Sequence, residues 1–413
     1  MIPKAGLLTA FLLLVFIGIS AQSPAENSEG LSNKADSTGP KKTPEKDMGD
    51  LVYHLFNPHK PLPPDTAEVI DTRKHFSFLP AVGYTLQTGF AGIISGNMAW
   101  HTDMSADSKI SSVNTNVTYS QYRQTIIPFQ VNIWTKGNRY NIISDFRYIN
   151  YPSSIYGLGG RTDPNQGHTV DFSGIKLHQT VMKALSGNFY LGVGYYFDKF
   201  RNIQAIDSAR ILNRQIGKKL GKEETASSAV LRFLYDSRLN QINPQQGLYL
   251  NITYRNSMRA LGSDSNWQSL LIDSRFYLHF PQQSHNVLAF WIMEWLTASG
   301  TPPYLLLPST GWDDNYNTGR GYIQGRYRGY NMLYFESEYR FGISRNGLFG
   351  GVVFANLQHY SSEISPSYNK IFPGYGVGFR LKLNKHSGAN LCVDYGFGQN
   401  GSRGFFVNLG EIF

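Results

Sequence analysis

The side chains in this chain that could do acid–base, nucleophilic or metal chemistry are ten histidines, a single cysteine at position 392, and 29 aspartates and glutamates. Their spacing forms none of the local patterns that such chemistry uses. There is no G-x-S-x-G turn to present a serine nucleophile and no H-E-x-x-H to set two zinc ligands and a base on one helix face. No glycine-rich loop opens a helix around a phosphate. The histidines are scattered, and His279 reads as a hydrogen-bonded wall residue. Cys392 reads as a packed thiol rather than a nucleophile. The sequence assigns no catalytic residue, no cofactor and no metal ligand, so the expectation is that the protein is not an enzyme. A surface barrel enzyme, with a site assembled across strands, stays as a lesser alternative.

What remains is electrostatic chemistry. Arg320 lies in a long loop, and Glu336 and Glu338 follow in a segment where Leu333, Phe335, Tyr339 and Phe341 occupy the alternate positions. An arginine on a loop is ordinarily solvated. One that enters a lumen must find a carboxylate or another polar partner, and both glutamates lie on the polar face available to it. Replacing Arg326 or Arg328, on the same loop, is expected to matter much less than replacing Arg320.

The elements that would position these residues have a period of two. In Leu248–Arg255, Leu248, Leu250, Ile252 and Tyr254 oppose Asn251, Thr253 and Arg255. In the segment 268–280, Leu270, Ile272, Phe276 and Leu278 oppose Asp273, Arg275 and His279. A membrane barrel turns the apolar face to lipid and the charges to the lumen. Sixteen such segments run from 76–84 to 404–413, an even count as single-chain bacterial barrels require. Short connections follow even strands (TKGN, LSGN, NPQQ, SRNG), and the long ones near 150–170, 199–225, 297–328 and 359–373 follow odd strands. The expected fold is all-β: a transmembrane antiparallel β-barrel of sixteen strands, residues 76–413. Asn243, Pro244 and Gly247 predict a tight turn between two strands. The last ten residues put Phe405, Val407, Leu409 and Phe413 on one face, a lipid-facing strand ending on an interfacial aromatic.

Composition fits this class. Aromatic residues make up 14% of the chain and charged residues 16%, against about 25% in ordinary soluble domains. Residues 1–21 carry Lys4, an uncharged run from Leu7 to Ile19 and small residues after it, the pattern of a secretory signal peptide. Residues 22–75 read as a short flexible periplasmic tether in which DMGDLVYHLFNP predicts a small helix, with Asp47 or Asp50 as N-cap and Pro58 as its stop. The net charge of +9 lacks a basic cluster, which favours anionic lipid headgroups or a charged lumen over nucleic acid.

Three segments in order carry a family resemblance. They are D-x-R followed by N-P-x-x-G in LYDSRLNQINPQQG, then T-G-R-G-Y after the eleventh strand, then the ending V-N-L-G-E-I-F. Residues 76–413 thereby resemble the barrel of the BamA/TamA-type outer-membrane assembly and transport proteins, the bacterial surface antigen family. The resemblance implies that Arg320, Gly321 and Tyr322 form the motif of a loop folded back into the barrel, with Arg320 contacting Glu338. It also implies a second acid on the next strand, at the position that Asn356 occupies here, so a weakened charge network is expected. Members that insert or export proteins carry periplasmic POTRA repeats, and residues 22–75 are too short for them. The implied function is outer-membrane biogenesis, or translocation of a protein or other substrate through a loop-gated lumen. A passive solute channel is the alternative. The implied place is the outer membrane of a Gram-negative bacterium, with both termini periplasmic. Lipid and periplasmic or outer-membrane proteins would be the partners.

Overall fold

A strand that alternates apolar and polar residues has one face for lipid and one for water. A closed sheet pairs its backbone groups while turning all the apolar faces outward. The computed structural model describes residues 44–61, 72–85, 87–105, 108–206, 220–365, 370–385 and 387–413. The expected signal peptide, and the tether up to residue 43, lie outside the described residues.

The strands are β1 (His75–Thr85), β2 (Gly89–His101), β3 (Ile110–Ser120), β4 (Thr125–Trp134), β5 (Tyr140–Asn150), β6 (Ser153–Ile155), β7 (His168–Ser186), β8 (Phe189–Ala205) and β9 (Glu224–Asp236). They continue as β10 (Gly247–Ser257), β11 (Trp267–His279), β12 (Val287–Gly300), β13 (Asn331–Gly342), β14 (Phe349–Ser361), β15 (Phe372–Lys382), β16 (Asn390–Phe397) and β17 (Arg403–Leu409). Except for the three-residue β6, which pairs only with β7, they form a sixteen-stranded antiparallel meander, each long strand bonded to the next. β1 and β17 lie side by side, but no ladder joins them among the described residues. The barrel therefore has a seam.

Register confirms the faces read from sequence. Asn251 pairs with Asp273, and Asp273 with Met293, so one row runs inward across β10, β11 and β12. The alternate residues form an exposed apolar band that includes Phe78, Val82, Ile94, Val193 and Val377. The long connections 151–167, 206–223 and 301–330 all leave from one end, and turns such as 187–188 and 343–348 from the other.

The expected helix is present as α1, Met48–Phe56. Asp47 is its N-cap, with a reciprocal capping box to Asp50, and Asn57 is its C-cap just before Pro58. Its polar side is fixed to the short-turn end of the barrel. Lys382 pairs with Glu45, the Lys385 amide donates to Asp47, and Lys385 Nζ pairs with Asp50 at 3.2 Å. The order Asp47–Asp50 satisfies the helix's first amides and supplies the charges that hold it there.

Two expectations are corrected. The last strand ends at Leu409: Gly410 adopts φ +83°, a left-handed conformation that glycine accommodates without strain, and turns the chain inward. Phe405 and Leu409 remain exposed on the lipid side, whereas Phe413 is buried in the lumen against Tyr277 and Trp291. The alternation up to Leu409 was sound, but it could not register a turn at one glycine. Second, Asn243, Pro244 and Gly247 do not make a tight turn. Asn243 and Pro244 belong to a ten-residue connection, 237–246, that reaches across the mouth, and Gly247 is the first residue of β10. Asn243 Nδ2 donates to the Gly388 carbonyl at 3.0 Å and Asn240 Nδ2 to that of Ser387 at 2.8 Å, tying it to the turn between β15 and β16.

Candidate functional site: a loop locked in the lumen

Strands β13 to β16 present an unusual inner wall. Alternation on β13 points Tyr334, Glu336, Glu338 and Arg340 inward, and register places Asn356 opposite Glu336 and Phe354 opposite Glu338. On β15 the inward positions are Gly374, Gly376, Gly378 and Arg380, and on β16 Asp394 and Gly396. A wall with no side chains at four positions leaves a trough. The connection 301–330 lies in it.

Arg320 fills the centre, 1% exposed. Its guanidinium bonds Glu336, Glu338 and Asp394 and stacks on the Phe354 ring, 3.7 Å from the centroid. Glu338 also accepts from Arg340 Nε at 2.8 Å. Asp394 accepts from Arg380, which donates through Nε to Glu411 at 2.9 Å. Three arginines and four acids thus form one buried network, in which the charges are paired rather than stranded. Gly321 adopts φ +105°, and a Cβ there would meet the Phe397 carbonyl oxygen at 2.6 Å. Only glycine allows that approach. The Tyr322 hydroxyl donates to the Pro373 carbonyl at 2.6 Å and accepts from the Gln399 amide at 2.9 Å.

The structure brings Arg320, Gly321, Tyr322, Glu338 and Asn356 together. It corrects the expected weak network: Asn356 is no carboxylate, but its Nδ2 donates to the Arg320 carbonyl at 3.0 Å, and Asp394 of β16 supplies the missing acid. The sequence does not signal Asp394 as a partner of Arg320, because the two are 74 residues apart. Sequence reasoning missed a repeated signal. Acid-x-Arg recurs at Asp145/Arg147, Asp236/Arg238, Asp273/Arg275 and Glu338/Arg340, and in each case the two residues, on one face of an extended chain, are ion-paired.

Arg326 and Arg328 are not solvated. Arg328 is 3% exposed, and its Nη1 donates to the carbonyls of Tyr304, Leu305 and Leu307, closing the loop on itself. Arg326 donates to the Thr162 carbonyl and hydroxyl, both at 2.7 Å. Across the lumen, Asp314 pairs with Lys176 of β7 at 3.1 Å, and its carbonyl accepts from Arg147 of β5 at 2.7 Å. The loop is a folded bar held at both walls. The C-terminal strand residues lie beside it: Val407 pairs with Val393 on the lipid side, and the tail beyond Leu409 enters the same cluster.

A model of the Omp85 superfamily domain matches residues 111–413. The fold is similar to BamA from Haemophilus ducreyi lacking POTRA domains 1–3, at 14% identity and TM-score 0.53, covering 82% of this chain and 70% of that one. CdiB from Acinetobacter baumannii is similar at 13% identity and TM-score 0.50, covering 82% of this chain and 60% of that one. CdiB from Escherichia coli is similar at 9% identity and TM-score 0.52, with 81% and 62% covered. At such identities the likeness is one of fold. The chain spans less than two thirds of the CdiB chains it matches. No curated protein matches it.

Proposed function

The chain belongs to the Omp85 superfamily, and we propose that this outer-membrane barrel serves membrane biogenesis, or moves a protein or other substrate across or into the membrane, through a lumen gated by residues 301–330. In this reading the short-turn end and both termini are periplasmic, and the long loops face outside. Lipid surrounds the apolar band. Periplasmic or outer-membrane proteins act as partners, and no catalytic step is involved. The observation that carries the reading is Arg320 between Glu336, Glu338 and Asp394: a loop whose one guanidinium bonds three carboxylates of the barrel wall in mid-lumen. A sixteen-stranded barrel is wide enough to conduct unless something fills it.

The test is conductance in planar bilayers. Wild-type protein should give small, intermittent currents, and deletion of residues 310–326 should enlarge them. Equal currents with and without the segment would remove the gate. A large, steady wild-type current would favour the second reading, a passive solute channel.

A further inference from the structure

At the end of the barrel where the long connections leave, a cavity of about 190 Å³ lies between the lumen loop, the connection 151–167 and the turn 398–402. Tyr156 and Ile323 give it apolar sides, Gln399, Asn400 and Ser402 supply polar atoms, and Arg326 lines it from the loop. At ~30 Å³ for each water the space holds about six, enough for one polyatomic anion and part of the molecule that carries it. Among the described residues no carboxylate lines the cavity.

Arg326 carries the electrostatic argument. It is 6% exposed, yet it makes no ion pair among the described residues. Arg238, Arg255, Arg340 and Arg380, buried like it, each hold a carboxylate at 2.7–2.9 Å. The rings of Tyr156 and Tyr327 pack on the Arg326 guanidinium, with centroids 4.9 Å and 4.4 Å from its carbon. Thr162 takes one hydrogen each from Nη1 and Nη2, and Nε makes no bond among the described residues. A buried cation surrounded by neutral oxygens and rings lacks a counter-charge. Nε and the second Nη2 hydrogen form a fork that fits two oxygens of a phosphate. The side-chain amides of Gln399 and Asn400 also make no bond among the described residues, and each can donate to a further oxygen.

We propose that this cavity is a binding site for a phosphate group, held by Arg326 with the amides of Gln399 and Asn400. The turn 398–402 is already joined to the loop motif, since Ser402 Oγ donates to the Gly321 carbonyl at 2.7 Å. A bound phosphate adds a link from that turn to the lumen loop and the connection 151–167, and it stabilises the folded barrel by mass action. The chemistry has two sources, free phosphate and the phosphorylated sugar headgroup of an outer-leaflet glycolipid. The site itself rests on local geometry; the glycolipid source alone rests on the reading that the long loops face outside.

The test is calorimetric titration of full-length protein in detergent micelles with sodium phosphate, against sodium chloride of equal ionic strength. Wild-type protein should bind a single phosphate, and in phosphate it should shift from folded to unfolded mobility in SDS at a higher temperature. Arg326→Gln should weaken binding about ten-fold or more, as expected for losing a charged hydrogen-bond partner. Arg326 also holds Thr162, so a second variant leaves that contact in place. Asn400→Asp sets a carboxylate beside the anion at an exposed turn position of φ +56°, which aspartate accepts, and should weaken binding as much by repulsion. Arg259→Gln, exposed on the connection 258–266, should bind as wild type does. Heat-shifted migration checks that each variant is folded. Displacement of phosphate by intact but not by dephosphorylated lipopolysaccharide assigns the glycolipid source, and displacement by neither assigns free phosphate. Phosphate bound no better than chloride, or binding undiminished in both Arg326→Gln and Asn400→Asp, would overturn the site. Bilayer currents, which test the gate, are not read in this experiment, so either result can fail without the other.

Discussion

The side-chain amide of Asn317, in the lumen loop, donates to the backbone carbonyl of Ile412 at 2.8 Å. One bond thus connects the loop to the chain's last turn inward. Around it, Arg340 Nη2 donates to the Phe413 carbonyl at 2.9 Å, and the Phe413 ring packs against Trp291 and Tyr277. The two segments hold each other in the lumen beside the unladdered seam.

The tail gives a first prediction. Removing a buried aromatic ring costs about 3–5 kcal/mol when the site cannot collapse. Phe413→Ala should lower the temperature at which SDS-treated protein shifts from folded to unfolded mobility. Phe405→Ala, on the lipid face, should change it far less. Equal shifts would return Phe413 to the outer surface.

The charge network gives a second. Arg320→Ala leaves three acids without their common partner, and breaking a buried pair costs about 3–5 kcal/mol against about 0–1 for an exposed one. Arg320→Ala and Glu338→Ala should each lower folded yield or enlarge currents, and the double variant should be less damaged than the sum. Arg328→Ala should also be costly, because three carbonyls lose their donor. If all three behave as mild, additive surface changes, the lock is not energetic.

Asn356 offers a sharper test of how this barrel departs from its family's pattern. It faces Glu336 directly across the strand pair. Asn356→Asp would remove the donor to the Arg320 carbonyl and set two carboxylates opposite each other, which is destabilising. We expect reduced heat resistance, partly relieved by adding Asp394→Asn. A stabilised Asn356→Asp variant would show that Arg320 has spare capacity for a fourth acid.

The glycine trough can be probed without touching a charge. A Cβ on Gly396 would meet the Gly321 nitrogen at 2.6 Å and its Cα at 2.9 Å, both of them backbone atoms that cannot swing aside. Gly396→Ala should displace the loop and enlarge the current while leaving the ion pairs chemically intact. Gly92→Ala, where a Cβ meets nothing within 4 Å, is the control. Matching currents in the two variants would mean that the loop does not rest on that bed.

By itself the sequence determined what depends on neighbours along one strand. Period-two alternation assigned the inward and outward faces of Leu248–Arg255 and of 268–280, and the parity of short and long connections assigned the two ends. Asp47, Asp50 and Pro58 sufficed for α1, because capping is local. The R-G-Y motif identified the loop, since its resemblance is carried by adjacent residues. What the tertiary structure alone decided depends on which strands face each other across the lumen. It chose Asp394 over position 356 as the third acid, laid Gly374, Gly376 and Gly396 under the loop, and folded Arg326 and Arg328 out of water. It turned Phe413 inward through a single φ at Gly410, and it sent Asn243 across the mouth to Gly388. These contacts join residues tens to hundreds of positions apart, and a repeat of two residues carries no information about them. They follow from the barrel's closure and from the need of each buried charge to find its partner there.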